Sequence, residues 1–295
     1  MYITALMTHL KERFDNYKKT KSFIVNTAST IFPDLSYTPK GEVVHFKHSG
    51  LLGDVIYSIP AMYALANGKK IALHLNINAF NSMRKELRHP NGKKMLTEKS
   101  IELLKSLLLS QEQFTECDIF ECQLIDFDLD MFSRIPFDFR MGSITRWYFL
   151  AFGVNFDTSK PWLFAKSDSE YKDYIIIARS LRYRTPSIDY SFLSQYPKVA
   201  FIGVEDEYQD MKQFIANLEY IKVGDFLELA RIISGCRFFI GNQSAPFALA
   251  EALKVKRILE VYPFCPNVIV EGKDGYDFCY QKQLETIVHK LFIHS

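Results

Sequence analysis

Near its carboxyl end the sequence contains Phe238-Phe239-Ile240-Gly241-Asn242-Gln243-Ser244-Ala245-Pro246, a short apolar run followed by small polar residues and a proline. The apolar run predicts a buried strand, and the Ala- and Leu-rich residues 246–253 predict a helix that proline can open. The free N–H groups and the positive dipole end of such a helix favour an anion. The local sequence leaves open an ordinary strand–turn–helix joint in which Ser244 is the N-cap.

A second turn of small residues precedes this one. Residues 43–47 predict a strand, residues 55–66 predict a helix, and His48-Ser49-Gly50-Leu51-Leu52-Gly53-Asp54 connects them. Glycines let the backbone approach a ligand closely. Asp54 is either the N-cap of the helix or a general base for an acceptor hydroxyl, and His48 is either structural or a contact to acceptor or phosphate. The residues expected on the acceptor side are His48, Ser49, Gly50 and Gly53.

Three arginines follow the predicted strand of residues 174–178, namely Arg179, Arg182 and Arg184. Guanidinium groups stay charged and bind phosphate in a bidentate manner, so this segment is a candidate phosphate site. A solvated basic loop is the alternative. Further along, Gly203 ends another predicted strand, and Glu207 lies at the start of a helix. Glu207 either stabilises that helix end or accepts hydrogen bonds from ribose hydroxyls.

Strands and helices alternate along most of the chain, which predicts α/β architecture with parallel sheets. We expect a helical extension over residues 1–40, a first Rossmann-like domain over 41–160, and a second over 161–295. The linker is expected within 157–170, and the closing helix is free to pack back on the first domain. Because ligands bind at the carboxyl ends of parallel strands, the two turns are expected to face each other across a cleft.

Composition excludes several classes of protein. The 295 residues carry 36 Lys and Arg against 34 Asp and Glu, so the net charge of +2 does not indicate a nucleic-acid-binding surface. The five cysteines are scattered, which predicts reduced thiols, a cytoplasmic location and no metal site. No apolar run has the length of a membrane span, and no signal peptide is evident. The basic run at residues 18–21 leaves peripheral membrane contact open as a minor alternative.

Two segments resemble the signatures of the ADP-heptose:lipopolysaccharide heptosyltransferase-like glycosyltransferases, glycosyltransferase family nine. Residues 53–61 with Leu65 are similar to the family's amino-terminal Gly-Asp…Pro-Ala…Leu pattern, and residues 228–253 are similar to its carboxyl-terminal pattern. The resemblance implies a GT-B fold of two Rossmann-like domains. It also implies metal-independent, inverting transfer from a nucleotide-diphosphate-sugar to a glycan or glycolipid acceptor, with no cofactor.

The resemblance also implies roles for individual residues. Asp54 matches the general base, Arg182 or Arg184 would neutralise the diphosphate, and Glu207 with Gly203 would lie near the nucleoside. The residues expected to bind the donor and its phosphates are Arg179, Arg182, Arg184, Asn242, Gln243, Ser244, Ala245 and Phe247. The chain departs from the family at Gln243-Ser244-Ala245, where Asp-Ser/Thr-Gly is usual, and at Ala248, where His is usual. These departures place it in a divergent subgroup.

Two other functions stay open at this point. One is glycosylation of a modified nucleic-acid base, which would use a basic face formed by residues 18–21 and 84–94. The other is a catalytically silent module that binds nucleotide-sugars, which the replacements at Gln243 and Ala248 suggest.

Overall fold

The computed structural model describes residues 37–80, 89, 91–135 and 138–293. The predicted helix within residues 1–33 lies outside this part of the chain. The first unit consists of β1 (Val43–His48), α1 (Leu52–Ala66), β2 (Lys70–Leu75), α2 (Glu98–Leu109), β3 (Phe114–Ile119), β4 (Phe127–Asp128) and α3 (Ile144–Phe152). Its four strands form a parallel sheet in the order β3-β2-β1-β4.

The second unit consists of β5 (Ile175–Ala178), β6 (Val199–Ile202), α4 (Glu205–Lys212), β7 (Glu219–Ile221), α5 (Phe226–Gly235), β8 (Phe238–Asn242), α6 (Ala245–Leu253), β9 (Arg257–Glu260), β10 (Gly275–Phe278) and α7 (Gln281–Ile293). Its six strands form a parallel sheet in the order β10-β9-β8-β5-β6-β7. Short 3-10 helices occur at Leu129–Arg134, Ser169–Tyr171 and Ser191–Gln195. The predicted linker of residues 157–170 falls between α3 and β5.

The central strands are buried throughout, as expected for a parallel sheet covered on both faces. Every residue of β5, β6, β8 and β9 is buried, which explains why β5, β6 and the start of β8 appear in the sequence as apolar runs without alternation. In register, Ala178 at the end of β5 pairs with Gly241 in β8. The segment that follows β5 and the turn that follows β8 therefore leave the sheet side by side.

Several element boundaries differ from the prediction. Helix α1 begins at Leu52, so Asp54 lies in its first turn and is not the N-cap; the Asp54 carboxylate instead accepts a hydrogen bond from Leu51 N at 3.1 Å. The sequence predicts a strand near residues 118–122, whereas β3 spans Phe114–Ile119. No strand is predicted over Gly275–Phe278, which forms β10. The acidic segment near residue 126 forms the short β4 and a 3-10 helix.

Helices α1 and α6 pack against each other and join the two units. Trp162 reinforces this joint, since its Nε1 donates to Ile56 O of α1 and its backbone N donates to Ala252 O of α6. Both helices therefore direct their amino termini towards the same region. The sequence left open where the closing helix packs, and the buried side chains of α7 lie in the core of the second sheet. None of the helices in the described ranges is long and apolar enough to cross a bilayer.

Glu251 of α6 lies inside the protein, although the sequence predicts a position on the helix surface, where glutamate is usually found. It is 2% exposed, and its carboxylate meets Arg257 and Lys254. The same group accepts a hydrogen bond from Glu271 N at 3.1 Å. In turn, the Glu271 carboxylate reaches Thr158 and Arg146 in the first unit. This network helps to hold the two units together away from the cleft.

Candidate functional site

A cleft of about 2070 Å³ separates the carboxyl ends of the two sheets. Both predicted turns line it, and they lie close to each other. A Cβ atom built on Gly53 would stand 3.7 Å from Ala245 N. The sequence-based prediction that the two turns face each other across a cleft is therefore confirmed. The absence of a side chain at Gly53 keeps the amino terminus of α6 accessible from the first unit.

Asp54 lies at the bottom of this cleft. Burial raises the pKa of its carboxyl to about 6, against the opposing effects of the Leu51 N–H and the Arg182 charge. Near neutral pH the group is mostly ionised and still holds a proton more strongly than an exposed aspartate. This combination suits a general base, since it pairs the correct ionisation state with useful basicity.

His48 shapes the glycine turn beside Asp54. Its Nδ1 accepts a hydrogen bond from Gly50 N at 2.8 Å, so the neutral ring carries its proton on Nε2 and donates to Tyr148 Oη at 2.7 Å. Burial lowers the pKa of His48 to about 4, which keeps the ring neutral. Both ring nitrogens are occupied, so His48 positions the turn. Of the two roles left open by the sequence, these bonds support the structural one; His48 also lines the cleft, and its place on the acceptor side stays a prediction.

Gly50 is the tightest position in this turn. A Cβ there would lie 2.5 Å from His48 Cε1 and 3.0 Å from Asp54 Cβ.

Ser49, by contrast, faces a polar cluster that sequence reasoning missed. Asp130 accepts hydrogen bonds from Ser49 N at 2.8 Å and Ser49 Oγ at 2.6 Å, and it also meets Lys47. No motif marks Asp130, because it reaches Ser49 only through the pairing of β4 with β1.

Arg182 is the cleft residue with the most conspicuous unused hydrogen-bonding capacity. Its side chain is 8% exposed, and its Nε and Nη1 atoms are buried without a hydrogen-bond acceptor among the described residues. Burial lowers the pKa of the guanidinium, while the nearby carboxylates of Glu207 and Asp54 oppose this. Buried donors are nearly always satisfied in native proteins, so this guanidinium is a candidate contact for a ligand in the cleft.

Asn242 holds the segment that carries Arg182. Its side chain is fully buried, with Oδ1 accepting from Ser180 N at 3.0 Å and Nδ2 donating to Ser180 O at 3.0 Å and Arg182 O at 2.5 Å. Asn242 is the last residue of β8 and lies behind the cleft surface. It therefore positions Arg182, which corrects its expected role as a direct contact to the donor.

Three other expected donor contacts also lie outside the cleft. Arg179 makes two hydrogen bonds to the buried Glu260, at 2.6 and 2.8 Å. Arg184 binds Asp210 at 2.5 Å and Ser180 O at 2.8 Å. Phe247 is fully buried and packs near Phe239 in the core. These placements correct the predictions for Arg179, Arg184 and Phe247.

The turn after β8 lines the cleft through Gln243, Ser244 and Ala245. Ser244 is the N-cap residue of α6, as predicted, but its hydroxyl donates to Asn242 O and does not cap the helix. The Gln243 amide is fully used. Its Oε1 accepts from Tyr262 N at 2.8 Å, and its Nε2 donates to Cys265 O at 2.7 Å and to the Asn267 side chain at 2.9 Å.

The far end of the cleft lies beyond β6, where Gly203 and Glu207 line it as expected. Gly203 has φ of +150°, and a Cβ there would stand 2.9 Å from the Phe201 ring and 3.1 Å from Glu207 Oε2. Burial raises the pKa of Glu207, with Arg182 as the main opposing influence. Sequence reasoning missed further residues that line this end of the cleft, among them Tyr220, Val223 and Phe226.

Among the described residues, no group of three or more His, Cys, Asp or Glu side chains is arranged to hold a metal ion. The Ala248 side chain is fully buried in α6 and lies outside the cleft. In this chain the side chain at this position therefore takes no part in the cleft surface.

Comparisons with known proteins find similarity in structure. No family model and no curated protein matches the sequence. The chain is similar to the E. coli ADP-heptose lps heptosyltransferase II, with a TM-score of 0.55 and 10% identity, over 85% of this chain and 98% of that one.

Two further solved structures show the same likeness. One is E. coli heptosyltransferase WaaC with ADP, with a TM-score of 0.54 and 12% identity over 85% of this chain and 99% of that one. The other is a glycosyl transferase family 9 protein from Veillonella parvula DSM 2008, with a TM-score of 0.52 and 12% identity over 90% of this chain and 100% of that one. The chain therefore has the two-unit α/β GT-B fold of these glycosyltransferases, as the sequence predicted.

Proposed function

We propose that this protein is a glycosyltransferase that moves a sugar from a nucleotide-diphosphate-sugar to a glycan or glycolipid acceptor. The observation that carries the proposal is Arg182, a buried guanidinium with unused donors in the same cleft as Asp54. A cation that lacks an acceptor and a carboxylate with raised pKa are the two groups that such a transfer requires, one for the leaving diphosphate and one for the acceptor hydroxyl.

The donor lies along the second unit in this proposal. Its diphosphate binds Arg182 and the free N–H groups at the amino terminus of α6, where the helix dipole also favours negative charge. Its nucleoside extends towards Gly203 and Glu207, whose carboxylate accepts hydrogen bonds from the ribose hydroxyls. One structure with this fold is heptosyltransferase WaaC with ADP, which supports a nucleotide as part of the donor.

The reaction is a single displacement with inversion. Asp54 removes the proton from the acceptor hydroxyl as its oxygen bonds to the anomeric carbon, and the bond from that carbon to the diphosphate oxygen breaks. The electron pair leaves with the diphosphate, and the proton stays on Asp54. Arg182 and the helix N–H groups stabilise the negative charge that develops on the leaving group. They supply this charge stabilisation without a metal ion, so we propose metal-independent transfer.

The two alternatives from the sequence gain no specific support. The basic face proposed for nucleic-acid binding falls largely on residues outside the described ranges. The silent-module hypothesis depended on Gln243 and Ala248. Gln243 uses its amide to hold residues 262–267, and Ala248 lies in the core. Both substitutions leave Asp54 and Arg182 in the cleft, so we propose an active enzyme.

A thermal-shift screen with ADP, UDP, GDP, CDP, dTDP and their common sugar derivatives tests the proposal. We expect at least one of them to raise the melting temperature. A ligand at a hundred times its Kd adds about 2.7 kcal/mol to the free energy of unfolding. The corresponding nucleosides, which lack the diphosphate, serve as controls and should have little effect. Absence of stabilisation by every diphosphate at millimolar concentration would contradict the proposal.

Replacing Asn242 by aspartate should weaken donor binding through the position of Arg182. The substitution removes the donors to Ser180 O and Arg182 O and sets a carboxylate against these carbonyl groups. We expect a loss of about 1–3 kcal/mol in unfolding free energy, together with reduced affinity for the diphosphate. Urea unfolding measures the first effect and calorimetric titration the second.

The matched control is Asn217→Asp, because Asn217 Nδ2 also donates to a carbonyl, Tyr196 O, far from the cleft. We expect this variant to lose stability and to keep the affinity of the parent chain. Equal affinity losses in the two variants would show that Asn242 has no specific role in positioning Arg182.

A further inference from the structure

A row of aromatic side chains runs along one side of the cleft, and we call Tyr183, Tyr262, Phe264 and Phe139 the aromatic wall. The ring centroids of Tyr183 and Tyr262 are 5.6 Å apart, and those of Tyr262 and Phe264 are 5.4 Å apart. Phe139 belongs to the first unit and joins the wall through Asn267, whose Nδ2 donates to Phe139 O at 3.2 Å. All four residues line the cleft.

The inner end of the aromatic wall lies near the catalytic carboxylate, and the outer end lies in solvent. Tyr183 and Asp54 line the same cleft, and burial and then the charge of Asp54 raise the pKa of Tyr183 to about 12. At the other end, Phe264 is 72% exposed and Phe139 is 44% exposed. Exposed large apolar groups that form a continuous surface mark a binding site more often than isolated ones do.

Hydrogen bonds anchor the backbone segment that carries Tyr262 and Phe264. Gln243 fixes the backbone of Tyr262 and Cys265, and its contact to Asn267 extends this support to the first unit. Ile144 N donates to Asn267 O at 2.9 Å. Phe139 also packs on Phe132 with ring centroids 6.0 Å apart. Because Gln243 is fully occupied by these bonds, its role in the cleft is to position the wall.

The same cleft carries polar groups that complement a sugar. Ser49, Asn76 and Asp130 are linked to one another, with Asn76 Nδ2 donating to Ser49 Oγ at 3.1 Å and Ser49 Oγ donating to Asp130 at 2.6 Å. A pyranose ring has an apolar face of C–H groups and an edge of hydroxyls. Aromatic rings with hydroxyl, amide and carboxylate groups in the same cleft match both features of a sugar, whereas a lipid chain would use only the rings.

We propose that the aromatic wall binds the acceptor as an oligosaccharide. The terminal sugar lies at Tyr183 with its reacting hydroxyl at Asp54, and the preceding sugars stack on Tyr262 and Phe264 towards the solvent. This assignment rests on the proposed function and adds the class of the acceptor. It predicts that affinity rises with the length of the glycan until the outer end of the wall is covered.

An array of neutral and anionic glycans, each series running from mono- to hexasaccharides, tests this inference with the full chain and ADP present. We expect binding to at least one oligosaccharide series, with affinity increasing beyond the disaccharide. Phe264→Ala should weaken the binding of the longer glycans about tenfold, equivalent to about 1.4 kcal/mol, and leave the shortest unaffected. Phe264→Trp should restore the loss, since it keeps a flat ring at this position.

Phe164→Ala is the matched control, because Phe164 is also an exposed phenylalanine, at 66%, and lies outside the cleft. Equal binding by Phe264→Ala and Phe164→Ala, or no binding to any oligosaccharide, overturns the proposal. The melting-temperature shift caused by a nucleotide diphosphate separates this result from a failure of the proposed function. That shift depends on Arg182 and the amino terminus of α6, which Phe264→Ala leaves in place, so it should be unchanged in this variant.

Discussion

Asp54→Asn is expected to lower the rate of sugar transfer by about 10²- to 10⁴-fold, the usual contribution of a positioned general base. The amide keeps the size of the carboxyl group and still accepts the hydrogen bond from Leu51 N. It has no basic oxygen that could take the proton of the acceptor hydroxyl. Donor binding should be nearly unchanged, because the diphosphate contacts belong to the second unit. The assay uses the nucleotide-sugar that raises the melting temperature in the thermal-shift screen. The rate at which nucleotide diphosphate is released from it, with and without acceptor, measures the change.

The pH dependence gives an independent test of the same residue. Because burial raises the pKa of Asp54 to about 6, kcat/KM should rise as the pH increases through 6 and then level off. The folded protein binds this proton more tightly than the unfolded chain. The contribution of Asp54 to stability is therefore greatest below the ordinary aspartate pKa and is lost as the pH rises to about 6. In Asp54→Asn, both the rise of kcat/KM through pH 6 and this loss of stability with rising pH should disappear.

Glu205→Gln is a suitable control, since Glu205 is an exposed carboxylate at the rim of the same cleft. It should keep the rate and the pH profile of the parent chain. An Asp54→Asn variant that retained more than about a tenth of the parent rate would show that another group, or none, removes the proton.

The backbone of the cleft could be predicted from sequence because its signals are local. The apolar run of residues 238–240, the glycines of the first turn and the proline of α6 each constrain neighbouring residues. Their periodicity predicts strands, turns and helices without reference to distant parts of the chain. The facing of the two turns followed from the rule that parallel strands carry ligands at their carboxyl ends.

The side chains of the site were harder to predict because their partners are distant in sequence. Arg179, Arg182 and Arg184 are alike as a local motif. Only the fold brings Glu260 to Arg179 and Asp210 to Arg184, which leaves Arg182 with unused donors. Patterns in a sequence cannot distinguish an arginine that is paired with a carboxylate from one whose donors are unused.

Asn242 and Phe247 illustrate a second physical reason. Strand β8 extends to Asn242, two residues beyond the predicted end, so the side chain turns back beneath the Ser180–Arg182 segment and not into the cleft. Phe247 is the third residue of α6, and its fully buried side chain points into the core. A shift of one or two residues at an element boundary changes which face a side chain occupies, and boundaries are the least predictable feature of a sequence.

Arg182→Met should abolish most donor affinity and stabilise the protein in the absence of donor. Loss of a buried, hydrogen-bonded charge at a phosphate costs about 2–4 kcal/mol, which corresponds to roughly 30- to 700-fold weaker binding. Without ligand, the guanidinium is a buried cation with unsatisfied Nε and Nη1 donors. Methionine removes that desolvation penalty while filling a similar volume, so the melting temperature of the free protein should rise. Calorimetric titration and a thermal melt measure the two effects on one sample.

The opposite signs of these two effects make the test specific, because a substitution that merely disturbed the fold would lower both affinity and stability. Arg184→Met provides the comparison. Its guanidinium is already bound by Asp210 and Ser180 O, so methionine should destabilise the free protein and weaken donor binding only slightly. A reversal of this pattern, with donor affinity lost in Arg184→Met and kept in Arg182→Met, would move the diphosphate site away from the Arg182 guanidinium. The predicted pattern would instead show that the Arg182 charge lowers the stability of the free protein and binds the donor.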